Sequence, residues 1–149
     1  MLPEKDFQHV VDFTPLFSID LIVVNFGKVL LGKRLNRPAQ DYWFVPGGRV
    51  RKNESMQEAF LRLTNAELGM PIEYSAAQPI GVFEHFYQDS VFGESPSTHY
   101  IALGMLLGFD ANLAHLPGDQ HGAFEFWSIA EALAAPEVHE YTKDYLRTI

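Results

Sequence analysis

The run Val45-Pro46-Gly47-Gly48-Arg49, with the segment that follows it, constrains this chain more than any other stretch. Two glycines after a proline leave a backbone that no side chain keeps away from a neighbour or a ligand. A little further on, Ser55-Met56-Gln57-Glu58 has the form of a capping box: the serine hydroxyl takes the amide three residues ahead and the glutamate reaches back. Met56, Ala59, Phe60, Leu63 and Ala66 then form one apolar face at helical spacing, and Gly69 and Pro71 stop the helix. The unit reads as a glycine-rich loop feeding a capped amphipathic helix.

Charge adds a second constraint. Of eleven basic residues, eight lie between Lys28 and Arg62, against only Asp41, Glu54 and Glu58, so a chain of net charge -8 keeps a local excess of +5 around the glycine loop. The overall acidity argues against a general nucleic-acid binder. The local excess suits a small anion such as a diphosphate; the plain alternative is a run of solvated surface charges. A length of 149 residues fits one domain, taken here as 1–149, with enough chain to bury most of its apolar surface. No window approaches the ~20 continuous apolar residues of a membrane span, and the mixed first residues are unlike a signal peptide. The absence of cysteine excludes disulfides and thiolate metal sites and suits a cytoplasmic protein.

Patterning gives a helix from Glu4 to Phe13, then strands from Leu16 to Asn25 and Lys28 to Arg34 joined by a Phe26-Gly27 turn. Asn36 to Gln40 reads as a loop, and Tyr42 to Val45 as a short strand running into the glycines, its aromatics mostly core. Beyond the capped helix come strands from Ile80 to Gln88 and Ser97 to Phe109, a loop from Asp110 to Ala123, and a strand from Phe124 to Trp127. Helices from Ser128 to Ala134 and Val138 to Leu146 end the chain. Interspersed strands and helices with an antiparallel hairpin predict an α/β (α+β) class with a mixed sheet.

The loop-helix unit resembles the Nudix box, Gly-x5-Glu-x7-Arg-Glu-φ-x-Glu-Glu-x-Gly-φ. Gly48, Glu54, Arg62, Glu67 and Gly69 hold their places, whereas Leu63 and Ala66 stand where carboxylates belong. The resemblance implies the Nudix fold, a mixed β-sheet sandwiched between α-helices. It is also similar to the GDP-mannose mannosyl hydrolase subfamily, through Leu31-Gly32-Lys33-Arg34, Asn36 to Gln40, Tyr42 to Val50, Arg62-Leu63-Thr64, Ala66 to Gly69, His85-Phe86-Tyr87, Thr98-His99-Tyr100 and Gln120-His121. That subfamily directs water to the anomeric carbon of the sugar, with inversion, and releases GDP whole.

By position, the resemblance implies that the Gly47 carbonyl, Glu67 and Gln120 hold one Mg2+ per active site, with Mn2+ able to replace it. Arg34 and Arg49 would contact the diphosphate, and His121 would be the general base. Asp20, His85 and Tyr100 would be substrate-binding, Asp20 through a sugar hydroxyl. Gly48 and Arg62 would be structural, with Arg62 orienting the metal-bearing glutamate. The implied partners are a small nucleotide sugar and a second copy in a homodimer, with no nucleic acid and no membrane; the apolar N-terminal segment is a candidate interface.

Two rivals stand beside this reading. A conventional Nudix pyrophosphatase would cut the P-O bond, but it calls for the carboxylates that Leu63 and Ala66 replace. A non-catalytic nucleotide-sugar binding module would tolerate the loss of Glu67, Gln120 and His121, all of which are present. Glu54 has a structural reading of its own, as a carboxylate in the first helical turn favoured by the macrodipole. His85 could equally be a hydrogen-bonded structural residue, and His9, His99, His115 and His139 read as structural or solvent-facing.

Overall fold

In a computed structural model, residues 2–109, 116 and 121–149 are described, the side chains of 121 and 122 excepted. The elements run α1 (Glu4–Phe13), β1 (Leu16–Asn25), β2 (Lys28–Arg34), β3 (Trp43–Phe44), β4 (Gly47–Arg49), α2 (Met56–Leu68), a 3-10 turn (Tyr74–Ala76), β5 (Gln78–Tyr87), β6 (Thr98–Gly108), β7 (His121–Ser128), α3 (Ile129–Ala134) and α4 (Glu140–Leu146). The strands form one mixed sheet in the order β3-β2-β1-β6-β5, with β4 added to β1 and β7 to β2. β1 runs parallel to β6 along its length, while its other edge is shared by β4 and β2, both antiparallel.

The two faces of β1 feed two cores, as the period of two along a strand requires. Ile19, Leu21 and Val23 join Ala59, Phe60, Leu63 and Leu68 of α2. Ile22 joins Val29, Leu31, Ala132, Val138, Tyr145 and Leu146, beneath α3 and α4. The sheet therefore lies between α2 on one face and α3 with α4 on the other. Asp20, alternating with its apolar neighbours, falls on the α4 side.

α2 starts where the capping box places it. The Ser55 hydroxyl accepts from the Glu58 amide at 3.1 Å, and Glu58 accepts from the Ser55 amide at 3.0 Å. Gly69 closes the helix with φ of 83°, a left-handed conformation that favours glycine. The buried face differs from the expected one. Ala66 is exposed, and the stripe is Ala59, Phe60, Leu63, Thr64, Glu67 and Leu68. Glu67 therefore sits in the buried stripe instead of on a solvated surface.

Other differences have local causes. The glycine loop is itself a strand, because Gly47 and Gly48 allow the backbone to pair closely with β1. β7 starts at His121, ahead of the expected Phe124, and α4 starts only at Glu140, because His139 is its N-cap, the Nδ1 accepting from the Tyr141 amide at 3.1 Å. Tyr42 is exposed, packing edge-on against His139, whereas Phe44 is buried. Among the described residues no helix is long and apolar enough to cross a membrane.

Candidate active site

A cavity of about 310 Å³ opens where β4, β1, the 38–39 loop, β5 and β6 meet α1 and α2. Arg34, Arg49, Arg51 and Arg62 line it, as do Asp20, His85, Tyr87 and Tyr100. Half of the basic cluster thus converges on one cavity. Lys28, Lys33, Arg37 and Lys52 do not line it, and Arg37 instead lies 3.7 Å from Asp89.

The glycines explain the shape of the wall. A Cβ on Gly47 would sit 2.5 Å from both Asp20 Oδ1 and the Ile19 carbonyl oxygen, so only glycine lets β4 lie this close to β1. A Cβ on Gly48 would sit 2.5 Å from Leu63 Cδ2. Leu63, 4% exposed, thus packs against the loop at the place where the box pattern calls for a carboxylate. The register pairs Asp20 with Gly47, while the Leu21 amide bonds the Pro46 carbonyl and the Val50 amide bonds that of Phe17. Those flanking bonds put Gly47 at a non-hydrogen-bonded position, with its carbonyl turned away from β1.

Arg62 has a different partner from the one expected. It forks onto Glu54, Nε donating to Oε2 at 2.7 Å and Nη2 to Oε1 at 2.8 Å, and Nη2 also donates to the Arg49 carbonyl at 2.8 Å. The Arg51 amide adds a bond to Glu54 Oε1 at 2.9 Å. Glu54 lies before the helix and outside its first turn, so this pairing replaces the macrodipole reading. The hydrogen bond from Arg62 holds the Glu54 carboxyl down at about 2. Both its oxygens are committed, and the pair ties α2 to the loop.

The remaining arginines differ. Arg34 Nε donates to the Pro38 carbonyl at 3.3 Å, so the Asn36–Gln40 loop aims that side chain. Arg49 lies over the Phe7 ring at 4.5 Å, and burial lowers its pKa. No carboxylate is paired with Arg34, Arg49 or Arg51 among the described residues. Three guanidiniums are thus available to an anion, and their forks suit phosphate oxygens.

The other titratable lining residues are polar but not cationic, and the charge of Arg34 acts on Asp20, Tyr87 and Tyr100 among them. Asp20, 7% exposed, accepts from the Tyr145 hydroxyl at 2.6 Å, and burial pushes its carboxyl up to about 6. His85, 3% exposed, stacks on Tyr141 at 4.2 Å, and burial lowers its imidazole to about 4, so it is neutral near pH 7. Its Nε2 has no hydrogen-bond partner among the described residues. Burial also raises the phenols of Tyr87 and Tyr100.

Of the expected site residues, the structure brings together Asp20, Arg34, Gly47, Gly48, Arg49, Arg62, His85 and Tyr100 around one cavity. Glu67 is buried on α2, one turn beyond Leu63. The His121 backbone pairs with Arg34 across the β2–β7 ladder; its side chain, Gln120 and His115 lie outside the described residues. Phe7, Arg51 and Tyr87 were missed as cavity residues, and so was the Tyr145 contact. Only Arg51, two residues past Arg49, carried a signal in its charge.

Among the described residues no three histidine, aspartate or glutamate side chains could jointly hold a metal ion. Of the expected ligands, Gly47 lines the cavity with its carbonyl turned away from β1, whereas Glu67 is buried on α2 outside the lining; both offer oxygen donors, the kind a hard divalent cation takes.

Fold and site define a mixed-sheet α+β domain whose glycine loop and capped helix wall an arginine-rich cavity. The NUDIX domain profile fits residues 15–148. The low-salt glycan biosynthesis protein Agl8 of Haloferax volcanii is 39% identical over 109 residues, covering 73% of this chain and 69% of that one. The ADP-ribose pyrophosphatase of Methanocaldococcus jannaschii is 28% identical over 134 residues, covering 89% and 74%. The MutT NUDIX hydrolase from Burkholderia pseudomallei superposes with a TM-score of 0.71 at 26% identity, covering 91% and 98%. The chain belongs to the Nudix family, and the coarse activity is that of a hydrolase acting on a nucleotide derivative.

Proposed function

We propose that this protein hydrolyses GDP-mannose, or a close GDP-hexose, to GDP and the free sugar, by water attack at the anomeric carbon with inversion. The observation that carries the reading is Leu63, packed against Gly48 in the cavity wall where a cation-binding carboxylate is expected. With Ala66 exposed and Glu54 committed to Arg62, the carboxylates that ordinary attack at phosphorus relies on are depleted. Attack at carbon needs less. A diphosphate is a good leaving group once its charge is neutralised, so no carboxylic acid has to protonate it, unlike the acid-base pair of an ordinary inverting glycosidase.

Water oxygen forms a bond to the anomeric carbon as the bond from that carbon to the diphosphate oxygen breaks. The water proton passes to His121, and the bonding electrons leave with GDP. Arg34 and Arg49 line the cavity and would take the charge growing on the leaving oxygen, a contribution of ~3–4 kcal/mol per good donor. Gly47, Glu67 and Gln120 would hold Mg2+, which when bound would supply further neutralisation of the diphosphate. Asp20, Tyr100 and neutral His85 face the sugar. Agl8, a relative by sequence, is named for glycan biosynthesis, which accords with a nucleotide-sugar substrate.

The reading carries a homodimer with it, and exposed Leu2, ahead of α1, and Phe13, its last residue, accord with an N-terminal interface; sedimentation at equilibrium tests that, a monomer mass contradicting it. The chemistry is tested by identifying products after incubation with GDP-mannose and Mg2+. GDP plus mannose supports the reading. GMP plus mannose 1-phosphate overturns it in favour of a pyrophosphatase. Binding without turnover favours a nucleotide-sugar module.

A further inference from the structure

Two polar lining residues of the cavity, Asp20 and His85, are braced by one helix. Tyr145 of α4 is fully buried, and its hydroxyl donates to Asp20 Oδ2 at 2.6 Å, a contact between residues 125 apart in the chain. Its ring is held edge-on by Phe83 at 4.6 Å and by His85 at 5.8 Å. It also needs the space at Gly104, where a Cβ would lie 3.0 Å from Tyr145 Cε1. One turn earlier, Tyr141 pins α4 to the edge strand β5. Its hydroxyl donates to the Phe86 carbonyl at 3.0 Å and accepts from the Phe86 amide at 2.9 Å, and its ring stacks on His85 with planes 9° apart.

The Asp20 carboxylate is consequently fixed on both sides. Oδ2 is taken by Tyr145, and Oδ1 lies against the Gly47 backbone beside the cavity. Asp20 forms no ion pair among the described residues, although the charge of Arg34 acts on it; burying a carboxylate costs stability, and an apolar residue would cost less. An acceptor oxygen fixed by a remote brace has its use in reading a ligand hydroxyl, where a few tenths of an ångström matter.

We propose that Tyr145 is a positioning residue for sugar recognition: it fixes Asp20 so that one carboxylate oxygen is presented to a hydroxyl of the hexose, and so sets which sugar epimer the enzyme accepts. This rests on the hydrolase reading above. A site built to bond a particular hydroxyl discriminates strongly against a ligand that presents it elsewhere.

The test is Tyr145→Phe, which keeps the ring and deletes the hydroxyl, compared with Asp20→Asn and the double variant. Tyr145→Phe should melt within a few degrees of wild type and bind GDP, which has no hexose, unchanged. Its kcat/KM for GDP-mannose should fall ~10-fold or more, with the preference for GDP-mannose over GDP-glucose shrinking by a similar factor. The double variant should be no worse than Asp20→Asn alone. Equal losses in GDP affinity and in turnover of both sugars would mean a merely structural role. Additive losses in the double variant would mean that Tyr145 does not act through Asp20; either result overturns the inference, as does a Tyr145→Phe indistinguishable from an active wild type. Wild-type protein that turns over neither nucleotide sugar overturns the hydrolase reading, and the inference falls with it.

Discussion

The cationic and the polar lining of the cavity are built on different principles. The cationic residues come from one continuous region, β2 through α2, which supplies Arg34, Arg49, Arg51 and Arg62. The polar ones draw Asp20 from β1, His85 and Tyr87 from β5, and their braces Tyr141 and Tyr145 from α4. On the proposed reading, the chemistry of two tasks accounts for the contrast. A charge field acts over several ångströms and tolerates small displacements. A hydroxyl is read by an oxygen in one place, and fixing that oxygen takes supports from distant parts of the chain.

Substitutions in each set should separate these roles, and metal removal should give the largest effect. Chelation with EDTA is expected to abolish turnover, with Mg2+ restoring it. His121→Gln comes next: kcat should fall ~10²–10⁴-fold while GDP affinity is kept, as read by steady-state kinetics and calorimetry. Unchanged kcat would show that another group takes the proton. In the cationic set, Arg49→Ala should cost ~10²–10³-fold in kcat/KM and weaken GDP binding as well. Asp20→Asn should leave GDP binding intact, and equal effects of these two variants on GDP would erase the distinction between the sets.

Stability effects are smaller. Gly47→Ala must displace the Ile19 carbonyl or the Asp20 carboxylate, so a loss of about 1–3 kcal/mol is expected. Gly48→Ala meets only the end of a flexible leucine and should cost less. The smallest effect is at Glu54, whose pairing with Arg62 is partly exposed; Glu54→Gln should cost about 1 kcal/mol near neutral pH. Because Arg62 depresses the Glu54 carboxyl from 4.5 to about 2, the pair contributes fully above about 4.5 and is lost as pH falls through about 2. The stability gap between wild type and Glu54→Gln should therefore close across that window in acid unfolding.

The same contrast accounts for what was legible in the sequence. α1, β1 and β2 follow from local patterning, and α2 is bounded by its serine cap and Gly69. The cationic lining was legible too, because its residues crowd one stretch of chain. Glu54 was misread because nothing local indicates that Arg62, a helix away, would fork onto it. The strand at Gly47–Arg49 was hidden because glycine carries no strand signal, and its pairing depends on what Ile19 and Asp20 leave room for. The Tyr145 brace was invisible for the same reason on a larger scale: only the parallel packing of β1 on β6 and the return of α4 bring it to Asp20.

The proposed reaction turns on which atom water attacks. Hydrolysis of GDP-mannose in H2(18)O, with mass analysis of both products, answers that directly. Attack at the anomeric carbon puts the label in mannose and none in GDP. Label in a phosphate group, with mannose 1-phosphate among the products, would mean attack at phosphorus despite Leu63, and would contradict it.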